Sequence, residues 1–208
     1  MKSIPAAEAA ALRAHLESRL AAPVMLALLT RASDRLGAAA EALCAELSVL
    51  SPRIAVRVRR ADAGVASVER SPAVTLEGAA RGRVRYIGLP SGYELAVLLA
   101  DLVDVASGTT ELLPSTRQAL SELAHDVHIQ VFVTATCPFC PAAARLAHQM
   151  AVEGRRVTAD VIDAPQFPDL LQRHGVRHVP TTVVNDRFRL FGPPSEARLL
   201  AAVLEAAR

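Results

Sequence analysis

Two hydrophobic rhythms alternate along this chain, and their order is used twice. Over residues 5 to about 20, Leu12, Leu16 and Leu20 recur four apart among good helix formers, which predicts an amphipathic helix. Residues 23–29 are a nearly continuous apolar run, the pattern of a strand buried on both faces. Ser33-Asp34 then supplies an N-cap for a helix reaching about residue 50. Residues 54–59 alternate apolar and charged side chains, as a half-buried strand does. Residues 72–78 and 84–88 bracket a turn containing Gly and Arg, which predicts an antiparallel hairpin. A helix is expected from residue 91 to about 106, a linker at 107–110, and a connecting helix over 114–124 that starts at Pro114 or Ser115.

The second half runs through the same order. A strand at 127–133 leads to two cysteines and a helix ending near residue 152. A strand at 156–162 and a short helix at 165–174 follow. Segments 180–185 and 188–192 then flank Asn185-Asp186, a dipeptide suited to a hairpin turn, and a helix over 195–207 closes the chain. Pro72, Gly88 and Pro90 around the first hairpin match Pro180, Gly192 and Pro194 around the second. Laying the two leading strands over each other puts Ser33 opposite Cys137 and Leu36 opposite Cys140, so the chain reads as one unit duplicated. The expected division is residues 1–110 and 111–208.

Composition narrows the functional classes. Of 208 residues, 51% are hydrophobic and 21% charged, with mean hydropathy +0.27, as in a globular protein. A net charge of +2 with scattered arginines argues against a nucleic-acid surface, which needs a clustered basic face. The arginines of 53–60 and 81–85 alternate with apolar residues and read as solvated strand faces. Charged residues interrupt the first 20 positions, and the most apolar stretch, 23–30, is too short to cross a bilayer. A cytoplasmic, membrane-free protein is therefore expected.

The chemistry concentrates at Thr134-Ala-Thr-Cys-Pro-Phe-Cys-Pro141. Two cysteines separated by two residues, between a strand and a helix, form the geometry of a redox dithiol. The unpaired N–H groups and partial positive charge of a helix start favour a thiolate, lowering a cysteine pKa from about 8.5 into a range of roughly 3.5 to 7.5. Cys137 is the candidate nucleophile, and Cys140, one turn further, the residue that resolves the mixed disulfide. Zinc needs four ligands. His174 and His178 lie too far beyond Cys140 for a zinc-finger spacing, so no metal is expected. Cys44, without a cysteine near it, reads as a small buried hydrophobe, and His125 and His128 as surface or satisfied residues.

The order βαβ, hairpin, helix, with Cys-x-x-Cys after the first strand and a proline before the hairpin, resembles the thioredoxin fold. The chain thus reads as α/β, two tandem thioredoxin-like folds, each a mixed sheet flanked by helices, the first without the cysteine pair. It is similar to the N-terminal domain of the flavoprotein subunit of alkyl hydroperoxide reductase and to the glutaredoxin-like protein disulfide oxidoreductases. The likeness runs over nearly the whole chain, including residues 86–94. Cys-Pro-Phe-Cys is close to the glutaredoxin Cys-Pro-Tyr-Cys, and Thr136 stands where thioredoxins carry tryptophan.

The resemblance implies a thiol–disulfide oxidoreductase. It implies a cis bond at Val179-Pro180, with the Val179 backbone free to pair with an extended substrate. Thr136, Pro138, Phe139, Val179 and Pro180 are the candidate substrate-binding residues. Thioredoxins also carry a buried acid below the dithiol, in a place that Val131 occupies here, so Glu94 from the first unit could substitute. A solvated glutamate near a helix N-terminus is the competing reading of Glu94. Protein disulfides are the expected substrates, with a peroxiredoxin and a flavoprotein disulfide reductase as more specific partners. The chain has no Gly-x-Gly-x-x-Gly fingerprint, so no bound flavin or nicotinamide is expected. A non-catalytic or zinc-carrying module on the same fold is the alternative.

Overall fold

A computed structural model describes residues 6–31, 34–61 and 70–208, and every expected element forms within a few residues of its expected bounds. In chain order these are α1 (Ala6–Arg19), β1 (Val24–Arg31), α2 (Arg35–Leu50), β2 (Ile54–Ala61), β3 (Ala73–Glu77), β4 (Arg83–Ile87), α3 (Tyr93–Ser107) and α4 (Pro114–Ser121). The second half supplies β5 (Val127–Val133), α5 (Cys140–Glu153), β6 (Val157–Asp163), a 3₁₀ turn (Ala164–Gln166), α6 (Pro168–His174), β7 (Thr181–Val184), β8 (Phe188–Phe191) and α7 (Glu196–Ala206). The local causes are those the residue types suggest. Asp34 accepts from Leu36 N and caps α2, and Ser195 accepts from Arg198 N and caps α7. Ser33, the other half of the expected cap, lies outside the described residues. Asn185 and Asp186 both take positive φ, 47° and 58°, the pair of left-handed residues that a tight hairpin demands.

Among the described residues eight strands form one sheet in the order β2-β1-β3-β4-β6-β5-β7-β8. Each half contributes the same four-strand pattern, a parallel pair followed by two antiparallel steps. The hydrogen bonds at the strand ends repeat as well. Val24 N donates to Arg53 O and Ile54 N to Ser51 O in the first half, as Val127 N does to Arg156 O and Val157 N to Gly154 O in the second. Gly88 N donates to Pro72 O, and Gly192 N to Pro180 O, with both prolines cis.

That register corrects the sequence alignment by one residue. With Val24 matched to Val127, Asp34 falls opposite Cys137 and Gly37 opposite Cys140. Leu36, the partner expected for Cys140, is 40% exposed, whereas Gly37 is buried as Cys140 is. The hydrogen bonds at the strand ends fix the register that the sequence overlay misses by one position.

The halves join through β4 and β6, parallel neighbours from Arg83↔Thr158 to Ile87↔Ile162. On one face Arg85 Nε and Nη2 donate to the two carboxylate oxygens of Asp160, at 2.8 and 2.6 Å, and His128 Nε2 lies 2.7 Å from Oδ2. Burial raises the Asp160 carboxyl, but the hydrogen bonds from His128 and Arg85 outweigh it and hold the group well below the usual range. Arg85 is thus no solvated strand residue; Arg57 and Arg60 are, in exposed pairs with Glu77 and Glu41. On the other face α3 packs against α5. Asp101 accepts from Tyr86 Oη and Arg145 Nη1, His148 Nδ1 lies 2.5 Å from it, and Arg145 Nη2 reaches Asp104 at 2.7 Å. The β3–β4 turn closes the seam: Gly82 N donates to Ala151 O, and a Cβ on Gly82 would collide with Val157 O.

The main apolar cluster runs through both halves, from Leu16 on α1 to Ala207 after α7. No described helix is long and apolar enough to cross a membrane.

Truncating a buried, paired charge leaves its partner uncompensated and costs about 3–5 kcal/mol. Asp101 is 1% exposed and holds Arg145, His148 and Tyr86 at once. Asp101→Ala is therefore expected to lower unfolding stability by that amount in a denaturant titration, whereas exposed Glu77→Ala is expected to change it by under about 1 kcal/mol.

Candidate active site

The two cysteines lie where the sheet ends its parallel run. After Val133 closes β5, Cys137 N donates to Thr134 O at 3.1 Å and Cys140 N to Cys137 O at 3.3 Å, two successive turns that lead into α5. The regular helix begins at Cys140, with Pro141 in its first turn, where a missing N–H leaves no helix bond unmade. Cys137 thus precedes the helix by one turn instead of opening it. The cysteines form a disulfide, with Cα atoms 5.4 Å apart. Cys137 is 8% exposed and Cys140 is fully buried, so Cys137 is the more accessible of the two.

Neighbouring strands bring the other residues to this edge. Phe132 pairs with Thr181, so the next positions along that ladder are Val133 and Pro180. The Val179-Pro180 bond is cis, as the resemblance implied, and Val179 packs on the core beside the loop. Thr136, Pro138 and Phe139 are exposed, Phe139 at 65%. Tyr93, 51% exposed, lines a cleft of about 550 Å³ together with Gly92, Ala135 and Thr136.

Glu94 reaches this edge through close backbone contact. Gly92, at φ 59°, precedes α3, and a Cβ there would collide with Ala135 O; Tyr93 N donates to the same oxygen at 3.1 Å. One residue later, Glu94 is 3% exposed, and neither of its carboxylate oxygens has a hydrogen-bond partner among the described residues. It lines a cavity of about 10 Å³ together with Tyr86, Val133, Ala135 and Asp163. Burial pushes its pKa up to about 7; His148 pulls it down, and Asp101 and Asp163 push it further up. The solvated reading of Glu94 does not hold. Buried polar atoms are almost always paired, and a buried acid shifted toward neutrality is a signature of function.

Other candidates fall outside the site. Cys44 is buried, and burial pushes its thiol up to about 12, in keeping with an apolar role. His128 is the partner of Asp160 described above, and His125 is exposed. His174 is buried beside Phe132 while His178 is exposed. No group of three or more His, Cys, Asp or Glu among the described residues could hold a metal ion. Sequence reasoning missed Asp163, Asp101 and His148. Asp163 had one usable signal, an acid closing a parallel strand at the carboxyl end, where ligands and catalytic groups gather.

A carboxyl at 4.5 when unfolded and at about 7 when folded binds its proton more tightly in the fold. Its contribution is full below pH 4.5 and is lost as pH rises through 7. Glu94→Gln is therefore expected to gain stability over wild type as pH rises from 4.5 to 8, reaching roughly 3 kcal/mol. Denaturant unfolding across that range checks it, and a difference that does not vary with pH refutes it.

Known proteins are similar to the second half of the chain and to the whole scaffold. The Thioredoxin domain family matches residues 127–204. Thioredoxin from Methanocaldococcus jannaschii is 32% identical over 78 residues, which are 37% of this chain and 92% of that one. The F component of alkyl hydroperoxide reductase from Xanthomonas campestris pv. phaseoli is 26% identical over 144 residues, 69% of this chain. The matched stretch is only 26% of that relative, so the chain corresponds to about a quarter of it. The solved structure of a protein disulfide oxidoreductase from Aeropyrum pernix superposes with a TM-score of 0.85 at 26% identity, covering 98% of this chain and 93% of that one. With two copies of the fold in one sheet and the cysteine pair in the second, the chain belongs to the thioredoxin family.

Proposed function

We propose that this thiol–disulfide oxidoreductase carries electrons from a flavoprotein disulfide reductase to a peroxiredoxin, in the cytoplasm, with Cys137-Cys140 as its own redox centre and any flavin or nicotinamide held by its partner. The observation that carries the reading is the disulfide itself, between Cys137, 8% exposed, and a fully buried Cys140, with an unpaired buried acid in a cavity lined by Val133 and Ala135 of the segment that leads to it. Similarity to an alkyl hydroperoxide reductase component over 69% of the chain supports the choice of partners.

The chemistry follows from the depth of each sulfur. In the reduced protein the Cys137 thiolate attacks a partner disulfide, forming a mixed disulfide and releasing one partner thiolate, which takes a proton from water. Cys140 then loses its proton, attacks Cys137 Sγ and expels the second partner thiolate. Two electrons pass to the partner, and the Cys137-Cys140 bond reforms. Cys140 has no route to solvent and needs a local proton acceptor; Glu94, at about 7, is matched to that task near neutral pH. In the reverse direction Glu94 returns the proton to the departing Cys140 thiolate. Thr136, Pro138 and Phe139, with Val179 and Pro180 across the loop, form the surface that receives the partner. Residues 111–208 act as the redox unit, and residues 1–110 supply Glu94 and Tyr93 to it.

Cys137→Ser is expected to reduce disulfides no faster than the uncatalysed reaction, and Cys140→Ser to accumulate mixed disulfides that non-reducing electrophoresis resolves. Full turnover by Cys137→Ser would sink the assignment. For the partners, peroxide-dependent NAD(P)H oxidation is expected when the protein is combined with a flavoprotein reductase and a peroxiredoxin. Glutathione-coupled reduction of a model disulfide without such coupling would replace the carrier role by a general glutaredoxin-like one.

A further inference from the structure

The cavity under the dithiol loop holds two carboxyl groups. Glu94 enters it from the first turn of α3, and Asp163 is the last residue of β6. Asp163 is fixed there from both sides. It pairs with Val133 across the ladder, and Gly88, at the end of β4, lies so close that a Cβ would stand 2.8 Å from Asp163 Cβ. Gln166 Nε2 donates to Asp163 Oδ2, and Gln166 Oε1 in turn accepts from Leu89 N at 3.3 Å. A neutral amide is thus what Asp163 rests on, and no ion pair involves it among the described residues.

We infer that Asp163 is a positioning residue for the redox reaction: as a carboxylate in the same enclosure it keeps the exchangeable proton on Glu94, so the dithiol is served by a carboxyl pair. The inference rests on the reading of Glu94 as proton acceptor and donor given above. Two carboxyls facing one small cavity do not ionise independently. Burial raises the Asp163 carboxyl, but Asp163 is only half-buried and accepts a hydrogen bond from Gln166 that favours its ionised form, whereas Glu94 has neither advantage. The repulsion then falls on Glu94, which is nearly fully buried and unpaired.

Three other groups face Glu94: His148 from α5, Asp101 on α3 itself and the Tyr86 phenol from β4. Tyr86 stays neutral, its phenol raised by burial and by Asp101. His148 favours the ionised Glu94, but Asp101, its partner at 2.5 Å, opposes it, and the two charges largely cancel at a third site. Asp163 is the charge left without a counterion. Only a proton moves in this step, between Glu94 and Cys140 Sγ, and Asp163 takes no part in bond exchange.

The test uses the full chain with ¹³C-labelled Glu and Asp carboxyls, titrated by NMR, beside the pH profile of model-disulfide reduction from pH 5 to 9.5. In wild type the Glu94 carboxyl resonance is expected to show a second, smaller inflection where Asp163 ionises. Asp163→Asn is expected to weaken Glu94 proton binding at least threefold, moving both the NMR midpoint and the matching limb of the rate profile down by about half a pH unit or more. Asp163→Glu is expected to restore both. A Glu94 midpoint unmoved in Asp163→Asn, or a wild-type resonance with no second inflection, overturns the inference while leaving the Glu94 role intact; the wild-type titration needs no variant to fold. If the limb persists in Glu94→Gln, the Glu94 role fails first and the inference falls with it.

Discussion

Five residues of parallel pairing, Arg83–Ile87 along Thr158–Ile162, make one sheet out of two, and the site depends on that seam. A strand edge left open would invite other partners; here each unit closes the other's edge. The pairing sets the carboxyl ends of β4, β6 and β5 side by side, so Gly88, Asp163 and Val133 become neighbours. From Gly88 the chain needs only a short loop to place the first turn of α3 against Ala135. The charged groups on either face of the seam, Arg85 with Asp160 and Asp101 with Arg145 and His148, add little net free energy, because burying ion pairs roughly offsets their attraction. What they contribute is register: a slip of one residue along β4–β6 would leave several buried charges unpaired at once.

The division of labour between the halves has a simple physical basis. The second half has the dithiol and, on the strand that leads to it, the buried apolar Val131, with no proton to exchange. The first half has no cysteine pair, but its helix α3 brings a buried acid, Glu94, against Ala135 in the segment that leads to the dithiol. Cys137 is 8% exposed and Cys140 fully buried, so the two sulfurs differ in access. Burial also raises the Glu94 carboxyl.

Periodicity placed nearly every element, and β5 falls on the expected residues 127–133. The cysteine spacing located the dithiol, and family resemblance, not propensity, located the cis bond at Pro180. Where local rules compete with packing, they err in small and instructive ways. Laying the leading strands over each other in the sequence sets Leu36 opposite Cys140, yet Gly37 holds the buried position. Strand alternation assigns Arg85 to a polar, solvated face, and no single-strand rule reveals that a buried Asp160 waits on the neighbouring strand.

Elements, their order, the duplicated unit and the dithiol are local properties, set by spacing over a few residues, and a chain can be read for them one stretch at a time. The partnership of Glu94 with Asp163, and of Asp101 with His148, joins residues dozens of positions apart in different units. Such contacts depend on which edge strands meet and in what register. Only the assembled sheet settles that, and with it which carboxyl loses its water.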